Sequence, residues 1–395
     1  MTSRLRVLAI GSLYPPHHEG GYELSWYWTM RHLRAGGHAV RVLASDHRRA
    51  GVVNGEDPDV HRELHMYWRD HVFLRPGWRE RVRLERANAA ALARHVQELR
   101  PQVASVWPMG GMSLSLLERL RRAGVPTLAM VEDDWLVYGP RADRWLHSPL
   151  VRGAPAAWVE RASGLPARVD WGRAARYLFV SEHTRRRALA HRALPDTAVL
   201  PIGIEDRFLA PREPPPWRWS LLYVGRLDPR KGTEDALAAL AALPSPATLT
   251  FAGTGDPAHE RVLRAHAGER VRFAGAVGRS ELPDLYAQAD AVLFPVRWEE
   301  PWGLVPLEAM GLGRPVIATG LGGSGEYLEH EVNCLLVAPG DPPAIAAAVR
   351  RLAEEEGLRR RLREGGMRTA RAHTAEAFHR RLEEELRAMA ENPQR

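Results

Sequence analysis

The sequence predicts an α/β protein with two doubly wound domains, each built on a parallel sheet with helices on both faces. Short apolar runs rich in Val, Leu and Ala alternate with segments of helical period along almost the whole chain, which is the pattern of parallel sheets covered by helices. A chain of 395 residues is also too long for one ordinary core and suggests two domains of roughly 150 to 200 residues each. We therefore expect two Rossmann-like domains that face each other across a deep cleft.

Thirteen apolar runs are predicted strands, with helices between most of them. Those of the first half are "RVLAIGS", "AVRVLAS", "LHMYW", "QVASVW", "TLAMVE", "RYLFVS" and "AVLPIG". Those of the second half are "SLLYVGR", "ATLTFAG", "VRFAGA", "AVLFPV", "PVIATG" and "NCLLVAP". Between the halves, "LAPREPPPWRW" places four prolines in eleven residues, and proline cannot continue a helix or a central strand. We predict an N-terminal domain over residues 1–209, a C-terminal domain over 210–375 and a final helix over 376–395.

Tryptophan is concentrated in the first half, where nine of the 13 tryptophans precede residue 172. Four of them lie in residues 135–171, a stretch rich in Gly and Pro that breaks the alternation and is predicted to be an insertion or a capping subdomain. Aromatic rings offer both area and stacking to a sugar or an apolar ligand. The candidates for such a surface are Trp26, Trp28, Trp107, Trp135 and Trp145, and core packing is the alternative for most of them.

Composition excludes several classes of protein. Cys334 is the only cysteine, so an intrachain disulfide and a cysteine-based metal site are excluded, and a reducing, cytoplasmic location is expected. The sequence has no apolar stretch of about 18 residues that could span a membrane. The net charge is +7, yet arginines alternate with glutamates in "RRLAEEEGLRRRLREGG", which favours ion-paired helix faces over nucleic-acid binding.

One basic segment also carries aromatic residues. The stretch "HMYWRDHVFLRPGWRERVRLERANAAALARHVQEL" mixes Arg with Trp and Phe, a composition that suits an anionic membrane surface. Peripheral contact with a membrane, and hence a lipid-linked acceptor molecule, is therefore kept as an expectation beside a freely diffusing acceptor.

Two strand-to-helix loops have the residues of an anion site. In "YVGRLDPRKG", Arg226 and Lys231 follow a predicted strand, and Lys231 is the only lysine among 55 Lys and Arg residues. Lysine is a compact charge that approaches one phosphate oxygen, whereas a guanidinium needs a wider planar slot. Gly20 and Gly21 immediately precede an amphipathic helix, where backbone N–H groups can meet an anion. Ligands of open α/β sheets bind at the carboxyl ends of strands, where both loops must lie.

A third loop carries two carboxylates. Glu300 follows the predicted strand "AVLFPV", and Glu308 lies eight residues later in the next helix. Carboxylates accept hydrogen bonds from pairs of hydroxyl groups, and Gly303 at the helix start exposes backbone N–H groups. The sequence shows no Asp-x-Asp motif of the kind that holds a metal against a diphosphate, so we expect a metal-independent site and assign no metal ligand.

Taken in order, these segments resemble the family 4 glycosyltransferases, or glycosyl transferases group 1, which are retaining enzymes of the GT-B fold that use nucleotide-diphospho-sugars. The resemblance covers nearly the whole chain. It includes "YPPHHEGGYE", "LFVSEHTRRRAL", "LPIGIEDRF", "YVGRLDPRKG", "FAGTGD", "LYAQADAVLFPVRWEEPWGLVPLEAMGLGRPVIAT" and "GGSGEYL". The stretch from Glu300 to Glu308 resembles the E-x7-E motif of the family.

The resemblance implies a role for each matching residue. Arg226 and Lys231 are implied to grip the donor diphosphate, which Gly21 is implied to face from across the cleft, and Glu308 is implied to hold the ribose hydroxyls. The backbone of Gly20, beside Gly21, is expected to contribute to the same diphosphate site. Glu300 is implied to lie near the transferred sugar. The backbone that also meets this sugar is that of Pro301, Trp302, Gly303 and Leu304. The implied catalytic residues are Glu300, Arg226 and Lys231, no cofactor is implied, and the last helix is implied to cross back to the first domain.

The chain departs from the family pattern at three places. Trp302 stands where Phe is usual, and Gly325 stands where the family's "GGxPE" has Pro. Glu132, Asp133 and Asp134 precede Trp135 where the family often reads His-Asp-aromatic-Trp. Three explanations of these acids stay open: an acceptor with a positive or hydroxyl-rich group, an unusual donor sugar, or an acidic cluster that caps backbone N–H groups.

The expected function is transfer of a sugar from a nucleotide-diphospho-sugar to a small-molecule, glycan or lipid-linked acceptor, with retention of anomeric configuration. A UDP-sugar is favoured slightly over a GDP-sugar, and the two domains are expected to close around it with a hinge near residue 210. Alternatives are a sugar-nucleotide epimerase or hydrolase of the same fold, a pyridoxal-phosphate phosphorylase that uses Lys231, and a non-enzymatic binding module. The sequence predicts neither the acceptor nor the oligomeric state.

Overall fold

Two parallel sheets organise the chain in the computed structural model, which describes residues 4–18, 20–49, 52, 57–69, 72–213 and 216–392. Unit 1 comprises Met1–Leu200 together with His379–Arg395, and unit 2 comprises Pro201–Phe378. The proline-rich segment at which we predict the domain boundary lies within unit 2, because the division falls between Leu200 and Pro201.

Unit 1 alternates strands and helices up to residue 199. Its elements are β1 (Arg6–Ile10), α1 (Gly21–Ala35), β2 (Ala39–Ser45), β3 (Val60–Leu64), β4 (Trp68–Arg69), β5 (Val72–Phe73), α2 (Trp78–Leu99), β6 (Val103–Val106), α3 (Ser115–Arg122), β7 (Thr127–Val131), α4 (Trp135–Ala142), α5 (Pro149–Gly153), α6 (Ala156–Ser163), α7 (Trp171–Ala174), β8 (Arg176–Phe179), α8 (Glu182–Leu189) and β9 (Thr197–Val199). The strands form a parallel sheet in the order β3-β2-β1-β6-β7-β8-β9, and β4 pairs with β5 in a separate antiparallel hairpin.

Unit 2 repeats this alternation with a six-stranded parallel sheet in the order β12-β11-β10-β13-β14-β15. Its elements are β10 (Ser220–Val224), α9 (Thr233–Ala241), β11 (Thr248–Ala252), α10 (Pro257–His266), β12 (Val271–Gly275), α11 (Leu282–Gln288), β13 (Ala291–Phe294), α12 (Leu304–Gly311), β14 (Val316–Ala318), β15 (Leu335–Leu336), α13 (Pro342–Glu354) and α14 (Glu356–Ala372). The last helix, α15 (Ala375–Glu391), starts in unit 2 and continues in unit 1 from His379.

The central strands are apolar because helices cover both faces of each sheet. In β1, the side chains from Val7 to Ile10 have no exposed area, and in unit 2 the same is true of Leu249 and Phe251 on β11. Each sheet also has a point at which the strand order reverses. In unit 1 this switch point lies between β1 and β6, and in unit 2 it lies between β10 and β13. The loops after these strands diverge there and leave a crevice at the sheet edge, which is where open α/β sheets bind ligands.

One predicted strand of unit 1 lies at a different position in the structure. The predicted strand "LHMYW" is shifted, since the strand that joins the sheet is Val60–Leu64, and Trp68 belongs to the hairpin. Val60–Leu64 has the sequence VHREL. It is an edge strand, where polar side chains stay partly exposed, so it lacks the apolar pattern of a central strand. The stretch over residues 135–171 forms three short helices, α4 to α6, and α7 begins at its last residue. The predicted final helix over 376–395 corresponds to α15.

Candidate functional site

The loop after β10 lies at the switch point of unit 2 and carries Arg226 and Lys231. The carboxylate of Asp228 accepts a hydrogen bond from the backbone N–H of Arg230 at 2.9 Å and so caps a short 3-10 turn over Pro229–Lys231. The turn ends at Gly232, which has a φ of +71°. A Cβ at this position would lie 1.8 Å from the backbone oxygen of Pro295, so only glycine lets the loop approach the end of β13 this closely.

Lys231 and Glu300 meet across the switch point. The ammonium of Lys231 donates a hydrogen bond to the Glu300 carboxylate, which also accepts one from Trp298 Nε1 at 2.9 Å. The same ammonium lies 4.9 Å from the centre of the Trp298 ring, within range of a cation–π interaction. The Glu300 side chain is buried, whereas that of Lys231 retains 26% of its exposure. A compact cation is thus held at the edge of the sheet with one side open to solvent.

Arg226 lies five residues before Lys231 on the same loop, and the structure leaves it exposed. Its backbone oxygen accepts a hydrogen bond from the Tyr223 hydroxyl at 3.0 Å, which fixes the start of the loop to β10. Two basic side chains therefore extend from one strand-to-helix loop, as the sequence predicts, with Lys231 positioned by Glu300.

Glu308 lies on α12 and is almost completely buried in unit 2. Arg279 donates to one of its carboxylate oxygens at 2.7 Å, and the Tyr286 hydroxyl donates to the other at 2.8 Å. Arg279 is also 3.4 Å from a carboxylate oxygen of Glu205. Although burial opposes its charge, the two carboxylates raise the pKa of Arg279, and burial together with Glu308 raises that of Tyr286. The Glu308 carboxylate is thus fixed by partners that leave lone pairs for further donors.

The segment after Glu300 is supported by the glycine-rich loop over residues 320–327. The backbone N–H of Gly323 donates to the Glu300 oxygen at 2.7 Å, and the Tyr327 hydroxyl donates to the backbone oxygen of Gly303. A Cβ on Gly322 would lie 2.4 Å from that same Glu300 oxygen. Gly303, with a φ of +86°, then starts α12 and directs the first N–H groups of this helix to the sheet edge.

Trp302 does not face an open site. Its side chain is 2% exposed, packs against the rings of Tyr327 and His373, and donates from Nε1 to the backbone oxygen of Ile202 at 2.9 Å. At this position only the backbone, which continues from Pro301 to Leu304, is available to a ligand. The indole N–H, which a phenylalanine lacks, fastens this backbone to the chain that follows β9.

In unit 1, Gly20 and Gly21 lie directly before and at the start of α1, at the switch point after β1. The backbone N–H of Gly20 donates to the side chain of Glu23 at 3.0 Å. The Glu23 carboxylate thus accepts a hydrogen bond from one of the backbone N–H groups at which we expect an anion to bind. Gly21 is exposed, and a Cβ there would meet nothing within 4 Å.

The three acids after β7 have different environments. The Tyr138 hydroxyl and the backbone N–H of Trp135 both donate to Asp133 at 2.9 Å, and burial raises the pKa of Asp133 to about 6. Asp134 pairs with Arg187 at 3.1 Å. Glu132 has no exposed area, and burial raises its pKa well above the usual range.

The predicted aromatic surface is largely core. The side chains of Trp26, Trp107, Trp135 and Trp145 have no exposed area, and Trp26 stacks on Trp107 with ring centres 6.2 Å apart. Trp28 is partly exposed. The alternative, core packing, therefore holds for these four residues.

Sequence reasoning missed Arg279, Glu205 and Tyr286, which position Glu308, and it missed one cluster of metal-ligand type. Among the described residues, one group of three His, Cys or carboxylate side chains has its ligand atoms within 4.8 Å of one another: His61, Glu63 and His95, in unit 1. No helix in the described ranges is long and apolar enough to cross a bilayer.

Comparisons with known proteins concern the family and the fold of the chain. Residues 218–355 match the family model described as Glycosyl transferases group 1. The chain is similar to the glycogen synthase of Mycobacterium tuberculosis, with 39% identity over 38% of this chain and 38% of the relative. It is also similar to the D-inositol 3-phosphate glycosyltransferase of Salinispora tropica, with 36% identity over 38% of this chain and 34% of the relative. The similarity thus spans less than two fifths of the length of these curated relatives.

Solved structures resemble the chain over almost its full length. A sucrose-phosphate synthase from Thermosynechococcus elongatus has a TM-score of 0.72 at 21% identity and covers 97% of this chain and 98% of its own. Anabaena HepE, solved in complex with UDP and glucose, has a TM-score of 0.69 at 19% identity and covers 97% of this chain and 99% of its own. At these identities the likeness concerns the fold, and it confirms the predicted GT-B class.

Proposed function

From the premise that residues 218–355 are a glycosyl transferases group 1 domain, we propose that the chain is a glycosyltransferase that moves a sugar from a nucleotide-diphospho-sugar to an acceptor. The observation that carries this proposal is the pairing of Lys231 with Glu300 at the switch point of unit 2, with Glu308 fixed on the helix that follows. In such a donor, Lys231 would meet the phosphates, Glu300 the hydroxyls of the sugar and Glu308 the hydroxyls of the ribose.

The diphosphate is proposed to bind at the loop after β10. Lys231 exchanges the Glu300 carboxylate for a phosphate oxygen when the donor arrives, because a diphosphate with two negative charges competes well for a partly exposed ammonium. Arg226, exposed on the same loop, adds a second positive charge. The exchange releases Glu300 to accept hydrogen bonds from the hydroxyls of the transferred sugar. Gly21, at the exposed start of α1, remains a proposed anion contact of unit 1.

The ribose is proposed to bind Glu308. Its two carboxylate oxygens each have one partner, from Arg279 and from Tyr286, and each retains a lone pair for a ribose hydroxyl. Because both partners hold the carboxylate in place before the ligand arrives, little conformational entropy is lost on binding.

The chemistry proposed for this site is substitution with retention. The bond between the anomeric carbon and the diphosphate oxygen breaks, and its electron pair stays on the diphosphate. The acceptor hydroxyl forms the new bond from the same face, and its proton passes to a phosphate oxygen. Negative charge therefore develops on the leaving group, where Arg226 and Lys231 stabilise it more in the transition state than in the ground state. Because these two residues supply the charge, activity is proposed not to depend on a metal ion, and chelation with EDTA should leave the rate unchanged.

Uridine is the proposed base of the nucleotide, ahead of guanosine. The support is that HepE, which shares the fold, was solved with UDP and glucose. A thermal-shift panel of UDP, GDP, ADP and dTDP tests this, with Glu308→Gln as the impaired variant and Glu98→Gln, half exposed in unit 1, as the matched control. Stabilisation of the wild type and of Glu98→Gln by UDP, reduced in Glu308→Gln, is expected. A panel in which no nucleotide stabilises the wild type would refute the donor site.

Transfer itself is tested by product formation. Purified protein with a radiolabelled UDP-sugar should consume the donor in proportion to the acceptor supplied. An isomerised sugar nucleotide formed without acceptor would instead indicate the epimerase alternative, which the transferase names of the relatives do not favour.

Contact with an anionic membrane surface is proposed for the apolar patch of unit 1, defined as Val72, Phe73, Leu74 and Trp78. These are four of the seven large hydrophobic side chains that are exposed in the described part of the chain, with exposed fractions of 61%, 39%, 37% and 41%. Exposed apolar side chains that cluster in this way mark an interaction surface.

The surroundings of the apolar patch suit lipid headgroups. Arg69, Arg75 and Arg79 are exposed beside it. Trp78 stacks on the buried Trp145 with ring centres 5.5 Å apart, and Arg144 donates to the backbone oxygen of Leu74 at 2.9 Å, so the patch is presented rigidly. Each basic residue near an anionic bilayer contributes about 1 kcal/mol. A cytoplasmic protein that docks in this way would have access to a lipid-linked acceptor.

A flotation assay tests the membrane contact. The wild type should float with vesicles of phosphatidylglycerol and phosphatidylcholine, and less so in high salt, because salt screens the arginines. The double variant Phe73→Ser with Trp78→Ser should stay in the lower fraction. Trp158→Ser, which removes a tryptophan that is 64% exposed outside the apolar patch, is the matched control. Absence of binding to anionic vesicles by the wild type would overturn the proposal.

A further inference from the structure

Glu132 is a buried carboxyl group without a charged partner in the described ranges of the chain. It directly follows β7, at the carboxyl edge of the unit 1 sheet, and none of its surface is exposed. By distance and angle, no group among the described residues completes a hydrogen bond to either of its carboxylate oxygens, and the Ser25 hydroxyl on α1 is the one donor close enough to act on them. Because burial of an unsatisfied carboxyl group is costly, almost all such groups in folded proteins have a partner, and an exception calls for an explanation.

The surroundings of Glu132 are acidic. Glu23 on α1 and Asp133 next in sequence are the carboxylates whose charges act on it, and Ser25 on α1 is the hydroxyl close enough to lower its pKa. No guanidinium, ammonium or imidazole acts on it in the part of the chain that the structure describes. Burial dominates and raises the pKa of Glu132, because apolar surroundings disfavour the charged form of a carboxyl group that no cation compensates.

Its two sequence neighbours are already satisfied. Asp133 accepts from Tyr138 and Trp135, and Asp134 pairs with Arg187. This difference separates Glu132 from an ordinary acidic cluster that caps backbone N–H groups, which was one explanation that the sequence left open. Of the three acids, the carboxyl group without a charged partner or a backbone donor among the described residues is Glu132, which lies against α1.

A metal ion does not fit this position. Carboxylates that share an ion bring their oxygens close together, and within the described ranges the group that does so with three ligands is His61, Glu63 and His95, not these acids. A larger, polyatomic cation does fit. A primary ammonium has three N–H donors and a positive charge, so it can satisfy both oxygens of Glu132 and the hydroxyl of Ser25, whereas a neutral hydroxyl has one donor and leaves the charge uncompensated.

We propose that Glu132, with Ser25 and Glu23 on the first turns of α1, recognises a primary ammonium group on a substrate that binds unit 1. Glu23 and Ser25 are partly exposed and Gly21 is fully exposed, so the start of α1 is the side from which the ammonium approaches. The inference rests on the proposed sugar transfer and specifies its substrate. The ammonium belongs either to an aminosugar-like acceptor or to the donor sugar.

Matched amine and alcohol probes test the proposal. The affinity of the wild type for D-glucosamine is compared with that for D-glucose, and its affinity for UDP-glucosamine with that for UDP-glucose, by calorimetry at pH 7. The amine of at least one pair should bind more tightly, on the order of 10- to 100-fold, as expected for a hydrogen-bonded charge. Preference within the free sugars assigns the ammonium to the acceptor, and preference only within the nucleotides assigns it to the donor.

The variant Glu132→Gln keeps the shape of the side chain and removes the charge. It should lose the preference for the amine, while Glu98→Gln, whose side chain is 50% exposed, should keep it. Infrared difference spectra give a second readout: the band of a protonated carboxyl group, present in the wild type and absent from Glu132→Gln, should disappear when the amine binds.

Two results overturn the inference: no preference for the amine in either pair, or a preference that survives in Glu132→Gln. Binding of UDP is measured on the same samples, because it tests unit 2 alone. If UDP binds and the amine preference is absent, the ammonium site is wrong while the proposed transfer stands. If neither UDP nor any other nucleotide of the thermal-shift panel binds, the proposed function itself has failed.

Discussion

The ammonium of Lys231 is hydrogen-bonded to the carboxylate of Glu300, 69 residues later in the chain. The two residues follow β10 and β13, which are neighbours in the sheet although two strands and three helices separate these strands in sequence. The pairing keeps the only lysine of the chain beside the carboxylate that it is proposed to exchange for a phosphate.

Replacement of Lys231 should impair sugar transfer strongly. Lys231→Ala removes a donor aimed at the leaving group, and loss of one such contact lowers the rate on the order of 100-fold or more. Lys231→Arg should also be impaired, because the planar guanidinium is wider than an ammonium. Initial rates at saturating donor measure the effect. Arg264→Ala, which removes a half-exposed cation from α10, is the control and should leave the rate unchanged. Full activity of Lys231→Arg would mean that the position requires only a positive charge.

Glu308→Gln and Tyr286→Phe should weaken donor binding to different degrees. Glu308→Gln removes the charge that is proposed to hold the ribose, and a lost hydrogen bond to a charged group lowers affinity on the order of 10- to 100-fold. Tyr286→Phe leaves the carboxylate in place with one partner fewer, so the loss should be about 2- to 10-fold. Calorimetric titration with UDP compares the two variants. A larger loss in Tyr286→Phe than in Glu308→Gln would contradict the assignment of Glu308 to the ribose.

Gly232→Ala should damage the loop that carries Lys231. A Cβ at this position would lie 1.8 Å from the Pro295 oxygen, and the left-handed backbone costs a non-glycine residue roughly 1–2 kcal/mol. Both the melting temperature and UDP binding should therefore fall. Gly268→Ala, where a Cβ would meet nothing within 4 Å, is the control and should change neither. Wild-type UDP binding by Gly232→Ala would show that the close approach of this loop to β13 is not needed.

Asp133 should make the stability of the protein decrease as the pH rises from about 4 to 6. Burial raises the pKa of Asp133 to about 6 in the folded protein, against 3.8 for an ordinary aspartate, so the folded state holds the proton more tightly. The stabilisation from Asp133 is fully present below the pKa of the unfolded state and is lost as the pH rises through the pKa of the folded state. It amounts to on the order of 3 kcal/mol.

Urea denaturation of the wild type and of Asp133→Asn between pH 4 and pH 7 measures this effect. The free energy of unfolding of the wild type, relative to the variant, should fall over this range. Asp284→Asn, whose carboxylate pairs with Arg212 on the surface of unit 2, serves as the control. A difference between wild type and Asp133→Asn that is constant with pH would refute the raised pKa.

Most strands could be predicted because the centre of a parallel sheet is buried on both faces, which leaves an apolar run in the sequence. Runs such as "RVLAIGS" and "SLLYVGR" contain the observed β1 and β10. The edge strand Val60–Leu64 could not be found in this way, because its side chains are charged or polar at three of five positions. An apolar run in the sequence thus indicates a buried strand, and strands that are not buried cannot be predicted from it.

Some contacts of the candidate site could be predicted from the sequence, and others could not. Lys231 and Glu300 could be placed together because each follows a predicted strand, and parallel strands end at the same edge. Arg279 could not be linked to Glu308, since nothing local in the sequence indicates which distant carboxylate an arginine will meet. The contact between Gly20 and Glu23 could have been predicted, because a glutamate three residues after the N-cap of a helix often accepts a hydrogen bond from the backbone N–H of the N-cap residue.

The contacts between Glu300 and the glycine-rich loop bear on how this protein can be redesigned. Gly323 donates to the Glu300 backbone at 2.7 Å, and Gly322 leaves no room for a side chain against it. Residues 298–304 and 320–327 are therefore shaped to each other. A chimera that takes one of these segments from a relative with another donor should fold poorly around the mismatch, whereas one that takes both should carry the donor preference with it.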